Sequence, residues 1–465
     1  MESTSCPEGI EIENSNHYFD GVELEALAQE YGTPLYVMSE TIVRRHCEAL
    51  RESFLRRYPG TRAYYASKAF QTLDMLRIIK DEGLGVDVVS GGELYAALKA
   101  GVVPSDIIFH GNAKTDHELR LAVEAGVGRI AVDNLEEIYR IEREAARTGK
   151  TQTILFRVTP GVDSHTHRFI STGSLDSKFG IPLEPVETTR YIEALAACPH
   201  VDFAGLHFHV GSQLLENTSH LAALRVALGF AARLARDFGL TVRELNMGGG
   251  FGIRYLPEDR APALSEFVDP SMAAVREWSA REKLPLPACA IEPGRWIVGE
   301  AGLTLYQIIA VKEIPGVRTY VAVDGGMGDN IRPALYDAKY HAAIVGRTRD
   351  QGASVGRGEA AGHGRAQNRS SVVESNVATA SERPFRTVTI AGRYCESGDI
   401  LVRDASLPEP RPGDILSLFS TGAYCFAMAS NYNRVPRPAL VMVKNGKARL
   451  SVRRETYEDL LSRDI

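Results

Sequence analysis

The chain has 465 residues, 44% hydrophobic and 24% charged, which is the texture of a soluble globular protein with room for one large barrel and a second module. A net charge of -6 implies no general attraction to nucleic acid or an anionic membrane, and no apolar run approaches the ~20 residues of a membrane span. Cys6, Cys47, Cys198, Cys289, Cys395 and Cys425 form no CxxC pair and the N-terminus lacks a signal peptide's apolar core, so reduced thiols in a cytoplasm are expected rather than a disulfide framework or zinc knuckle.

In chain order, "EGIEIENSNHYFDGVEL" reads as a strand contributed to a later β module. After "PLYVM", a lead-in, come the strand candidates "RAYYASK", "GVDVVS", "DIIFHGN", "RIAVDN", "TILFRVT", "FAGLHFHV", "ELNMGGG" and "CAIEPGRW". Segments between them, such as "TLDMLRIIKDEG" and "GELYAALKAG", are apolar at helical spacing. Eight repeats of strand then helix predict an α/β fold, a parallel (β/α)8 barrel over residues 35–300. Runs such as "TLYQIIAVKEI", "TYVAVDGG" and "GDILSLFSTGAY" predict a C-terminal all-β module from residues 301–465, joined by residues 1–34. Within it, residues 346–384 lack any Phe, Tyr or Trp and are rich in Gly, Ser, Ala and Arg, the composition of a flexible surface insertion.

In such a barrel, chemistry collects at the C-terminal ends of the strands. The unusual residues fall there: Lys68, Asp87, His110, Asn112, His209, the glycines from Gly248, and Glu292. Lys68 is either an amine that snorkels past its strand end or a buried nucleophile of lowered pKa. "NMGGGFG" is either a tight turn or a place where backbone N–H groups approach an anion. In "HFHVGSQ", His207 and His209 lie two apart and face one side, which suits a metal or a flat cofactor with Ser212 on a phosphate. The later strand ends supply no further histidine, which disfavours the metal. In "IEPGRW", Glu292 and Arg295 form an ion pair, or the carboxylate holds a ring nitrogen protonated. "RYCESGDIL" sets Cys395 beside Glu396, and "STGAYCFAM" places Tyr424 after a turn of small residues.

Taken in order, these motifs resemble the fold-type III pyridoxal-phosphate decarboxylases, and among them the diaminopimelate decarboxylases. The likeness covers nearly the whole chain outside 346–384. It rests on "YYASKAF", "GVDVVSGGEL", "HTHRFISTGSLDSKFG", "GLHFHVGSQ", "LNMGGGFGI", "IEPGRWIVGEAG", "DGGMGDNIRPALYDA", "CESGDIL" and "GAYCFAMASNYN". A bulky Arg393-Tyr394 pair departs from the small or proline-containing sequence of many relatives.

The resemblance implies decarboxylation of meso-2,6-diaminopimelate to L-lysine and carbon dioxide, the last step of lysine biosynthesis, with pyridoxal 5'-phosphate as cofactor. It implies that Lys68 bonds to the cofactor, Asp87 stands near that bond and His209 stacks on the ring, leaving His207 structural. Ser212, Gly248, Gly249, Gly250, Arg295 and Tyr424 would hold the phosphate. Glu292 would face the ring nitrogen, where a related racemase subgroup has arginine, and so favours decarboxylation. Cys395 would return the proton. Arg295, Arg332 and Tyr336, with Tyr424 nearby, would bind the distal carboxylate, and Glu396 the distal amine. Cys395 and Glu396 would come from a second subunit, in a head-to-tail homodimer with shared sites. Competing readings are a decarboxylase for another amino acid with a distal carboxylate, such as carboxynorspermidine, a regulatory homologue without activity, and a metal-dependent barrel hydrolase.

Overall fold

The computed structural model describes residues 7–13, 16–162, 177–345 and 383–465. Of the expected insertion, residues 346–382 lie outside the described residues, as do residues 165–176 of the "HTHRFISTGSLDSKFG" stretch.

The first strands are β1 (Ile10–Glu13), β2 (Asn16–Phe19) and β3 (Val22–Glu23). They form a three-stranded sheet of their own, so the expectation that this stretch adds a strand to the β module is corrected. The strand that does join that module is β4 (Leu35–Ser39), the "PLYVM" lead-in. It lies between two distant strands described below, and all five of its residues are buried.

The barrel closes from β5 (Arg62–Ala66), β6 (Gly85–Val88), β7 (Ile107–Phe109), β8 (Arg129–Val132), β9 (Gln152–Arg157), β10 (Val201–His207), β11 (Glu244–Asn246) and β12 (Ala288–Ile291), with β12 pairing in parallel to β5. These are the eight strands expected from the sequence. Each is short and most are largely apolar, because helices cover the outside and side chains fill the inside. Tyr64, Ile108, Leu155, Ala204 and Ala290 form that inner plug as a separate buried cluster. Four of the covering helices begin on side chains that accept an orphan backbone N–H: Thr72 from Met75, Ser90 from Glu93, Thr115 from Glu118 and Asn134 from Glu137.

The second sheet holds β13 (Gly302–Ile314), β14 (Arg318–Val323), β15 (Ala342–Val345), β16 (Phe385–Ala391), β17 (Ile400–Pro408), β18 (Ile415–Leu418), β19 (Ala439–Lys444) and β20 (Lys447–Val452). Its main order is β17-β16-β14-β13-β4-β19-β20, with β18 also on β13. β4 is antiparallel to β13 and parallel to β19, an assignment set by tertiary pairing. Arg383, 4% exposed, bonds Asp414 at 2.9 Å, so the end of the expected flexible insertion is built into this sheet's edge. Among the described residues no helix is long and apolar enough to cross a membrane.

Candidate active site

The barrel's C-terminal rim and the second sheet enclose a cavity of about 460 Å³. Lys68, Asp87, His110, Asn112, His207, His209, Ser212, Glu292 and Arg295 reach it from strand ends of the barrel, and Arg332, Tyr336 and Tyr424 from the sheet side. Lys68 sits in the one-turn helix Ser67–Ala69 that follows β5. Ser67 Oγ donates to the Asp87 carbonyl at 2.7 Å, fixing that turn to β6. The Tyr424 N–H donates to the Ala69 carbonyl at 2.7 Å, with Tyr424 at φ 62°, a left-handed backbone a tyrosine adopts only under constraint.

Lys68 is walled in by protein, yet its side chain is open to the cavity. Burial opposes its charge, but Asp87, Tyr424 and Glu292 outweigh it and hold the Lys68 pKa above the ordinary lysine value. Of the two readings the sequence left open for Lys68, the lowered pKa is therefore not the one this arrangement of charges favours. Asp87, 2% exposed, has an Oδ1 buried without a hydrogen-bond partner. Burial pushes its carboxyl up, partly offset by His110.

Glu292 is the most constrained group. Its Oε1 accepts from His110 Nε2 at 2.8 Å and Asn246 Nδ2 at 2.6 Å, and its Oε2 from His207 Nε2 at 3.1 Å. Burial favours the neutral acid, but His110 and His207 overcome it and hold this carboxyl well below the usual range. Burial lowers His207 to about 4, so its ring is neutral and donates through Nε2. His110, His207 and Glu292 bring ligand atoms within 4.8 Å of one another, a grouping the sequence reading did not anticipate, since it weighed a metal only at His207 and His209. The carboxylate accepts a hydrogen bond from both rings, and His207 is thus a partner of Glu292 rather than only a packing residue.

His209 is half-buried at the cavity wall. Burial, Lys68 and Arg157 hold it well below the ordinary histidine value, so the ring is neutral and can lie against a flat apolar face. Arg295 donates to Ser212 Oγ through Nε at 3.3 Å and Nη2 at 2.8 Å, and to the Tyr255 hydroxyl. The glycine run is corrected in part. The Gly248 N–H donates to Asn246 Oδ1 at 3.0 Å and the Gly249 N–H to His209 Nδ1 at 3.3 Å, so these two amides are engaged inside the protein. A side chain on Gly249 would collide with the Glu292 carbonyl. Gly250, at φ 99°, is the one that lines a recess with Ser212, Arg295 and Tyr424. Arg332, 5% exposed, donates to the Tyr340 hydroxyl and lies over the Tyr255 ring at 4.8 Å, while its Nε is buried without a partner. Around the cavity stand Lys68, Arg157, Arg295 and Arg332 against Asp87 and Glu292, an excess of positive charge suited to anionic ligands.

The profile of the family described as "Pyridoxal-dependent decarboxylase, pyridoxal binding domain" matches residues 40–299. The chain is 44% identical over 445 residues to the diaminopimelate decarboxylase of Bacillus subtilis (strain 168), covering 96% of this chain and 94% of that one. It is 41% identical over 455 residues to the diaminopimelate decarboxylase of Mycobacterium tuberculosis (strain ATCC 25618 / H37Rv), covering 96% and 94%. The chain belongs to the diaminopimelate decarboxylases. The fold agrees: the diaminopimelate decarboxylase of M. jannaschii in co-complex with L-lysine superimposes with a TM-score of 0.86 at 32% identity, over 99% of this chain and 98% of that one.

Diaminopimelate decarboxylases use pyridoxal 5'-phosphate, and the residues here fit it. Lys68 presents an amine to the cavity, Asp87 lines it with an Oδ1 that makes no hydrogen bond, and Gly250, Ser212 and Arg295 line an adjoining recess. Cys395 and Glu396 do not line the cavity of their own chain. Both are exposed, and the Cys395 N–H donates to Asn433 Oδ1 at 2.9 Å. Sequence reasoning gave no role to several residues of this diaminopimelate decarboxylase site: Arg157, whose guanidinium stacks on Phe179 at 4.2 Å; Asn246; and Tyr255 and Tyr340, which carry the two arginines. Asn246 stood inside the quoted "NMGGGFG". The other three carry no local signal, since their partners are distant in sequence.

Proposed function

We propose a division of labour among these residues for the decarboxylation of meso-2,6-diaminopimelate to L-lysine and carbon dioxide. Bound pyridoxal phosphate supplies the sink for the electron pair of the breaking Cα–carboxylate bond. Lys68 binds the cofactor covalently, with Asp87 beside it balancing the charge. Ser212, Gly250, Arg295 and Tyr424 hold the phosphate, and His209 lies against the ring. Glu292 keeps a proton on the ring nitrogen. Arg332, with Arg295 and Tyr336, takes the distal carboxylate in a planar fork, and Glu396 takes the distal ammonium. Cys395 delivers a proton to Cα after carbon dioxide leaves.

The observation that carries this reading is Glu292, an anion fixed by hydrogen bonds from His110, His207 and Asn246 at the rim where Lys68 opens into the cavity. A fixed anion there strengthens the electron sink. The unpartnered Arg332 Nε supports a carboxylate at the far end of the substrate. The exposure of Cys395 and Glu396 supports a homodimer in which each chain completes its partner's site. The cytoplasm is the compartment we assign, because Cys395 is an exposed free thiol that must stay reduced to donate a proton. The test is to incubate the purified protein and pyridoxal phosphate with meso-diaminopimelate, and separately with L-lysine, L-ornithine and carboxynorspermidine. Equal amounts of carbon dioxide and L-lysine from diaminopimelate are expected. Release from another acid but not from diaminopimelate overturns the assignment.

A further inference from the structure

Tyr394 stands immediately before Cys395, and the structure gives it a seat. Its ring is 8% exposed, while Cys395, Glu396, Ser397 and Gly398 after it are all exposed. The ring stacks on Tyr432 with centroids 5.9 Å apart and planes at 13°. Its hydroxyl reaches Asp329 Oδ1 at 3.4 Å and lies over Gly328, where any side chain would collide with it. The backbone is held as firmly. The Tyr394 N–H donates to Asp399 Oδ2 at 2.8 Å, the Met327 N–H to Asp399 Oδ1 at 2.6 Å, and the Arg393 N–H to the Gly325 carbonyl at 2.9 Å. A side chain on Gly326 would strike the Asp399 carboxylate. Asp329, 1% exposed, is itself fixed by the Tyr306 hydroxyl at 2.6 Å and the Gly326 N–H at 3.0 Å.

The glycines of "DGGMGDN" are thus spaced to receive Tyr394 and Asp399. The tip they support carries only Cys395 to Gly398, short and exposed on a rigid base. A group that must meet Cα in another chain's cavity gains rate from being held in one geometry before the encounter.

We propose that Tyr394, seated on Gly328 and Asp329, is a positioning residue that aims Cys395 and Glu396 into the partner's active site. This rests on the shared-site reading given above. Tyr394 touches neither substrate nor cofactor; it acts through the two residues that follow it. The same segment continues into the helix Arg332–Tyr336, so one stretch of chain holds the tip meant for the partner and lines its own cavity.

Mixed dimers test this in a way that separates positioning from general damage. A dimer of one Lys68→Ala chain and one Cys395→Ala chain has a single competent site, whose Cys395 comes from the Lys68→Ala chain. The control mixture, with exchange confirmed by mass, is expected to recover about a quarter of wild-type activity, as random pairing in a two-fold dimer dictates. Tyr394→Ala is then placed on one chain or the other. We expect kcat to be at least about tenfold lower with the change on the Lys68→Ala chain than on the Cys395→Ala chain, a difference of about 1.4 kcal/mol. Cofactor absorbance should be the same in both mixtures. Tyr394→Phe, which keeps the stacked ring, should return most of the rate from the sensitive chain. Equal loss from both placements, or no loss from the Lys68→Ala chain, overturns the proposal while leaving shared sites standing. A control mixture without recovered activity overturns shared sites, and the aiming role falls with them.

Discussion

Replacing Glu292 by glutamine removes one charge and almost no volume. If the amide oxygen takes the place of Oε1, it still accepts from His110 and Asn246. The new NH2 then faces the His207 Nε2–H, donor against donor, where Oε2 had accepted at 3.1 Å. His207 cannot relieve this by moving its proton to Nδ1, because that atom is buried without a partner. In the proposed arrangement the ring nitrogen of the cofactor would also lose the anion that holds its proton. A hydrogen bond to a charged group contributes about 1.5–3 kcal/mol, so kcat should fall roughly tenfold to a hundredfold. The assay is carbon dioxide release at saturating cofactor and substrate, with cofactor absorbance recorded to show that binding survives. A kcat within about threefold of wild type would refute the role of the charge, since that corresponds to less than about 0.7 kcal/mol. His110 and His207 hold this carboxyl well below its usual range. Its stabilising contribution is therefore present above the ordinary carboxylate pKa and is lost only as pH falls through the lower folded value.

Arg332→Ala should raise KM for diaminopimelate by more than about a hundredfold, about 2.8 kcal/mol, while the cofactor titrates as in wild type, on the proposal that this cavity-lining guanidinium takes the distal carboxylate. Lys114 and Glu137 are both buried and bond at 2.8 Å, and Lys114 also donates to the carbonyls of Gly111 and Ala131, so Lys114→Met should cost about 3–5 kcal/mol in denaturant unfolding by stranding Glu137. Adding Glu137→Leu should recover part of that loss. Burial holds the Asp329 carboxyl protonated up to about 7, so the folded state binds the extra proton and its stability falls, by this group's contribution, as pH rises from the ordinary carboxyl value towards 7. Asp329→Asn should remove that contribution, and its melting temperature relative to wild type should climb across the same window.

The barrel was legible because its strands appear as short apolar runs such as "TILFRV", and several of them lead into helices that open on a capping side chain. "PLYVM" has the same local texture, yet it belongs to the other sheet. Its partners, β13 and β19, lie hundreds of residues away, and nothing within five residues encodes that choice. The candidate site divides the same way. Lys68, Glu292 and Arg295 stand out because a charged residue at the end of an apolar run is conspicuous. His207 looked like a core histidine because its bond to Glu292 spans 85 residues. Arg157, Tyr255 and Tyr340 were missed because an arginine or tyrosine gains meaning only from the ring or guanidinium packed on it. The amides of Gly248 and Gly249 looked free for an anion, but Asn246 and His209, close by in the fold, already accept from them.

The account turns on Lys68 as the residue that bears the cofactor at the mouth of the barrel. The direct measurement is borohydride reduction of the protein loaded with pyridoxal phosphate, followed by proteolysis and mass mapping of the peptides. The account predicts a pyridoxyl group on the peptide containing Lys68, in near one-to-one proportion to chains, and none after Lys68→Ala. A label on Lys114 or any other lysine, or no label on a protein that still releases carbon dioxide, would contradict it.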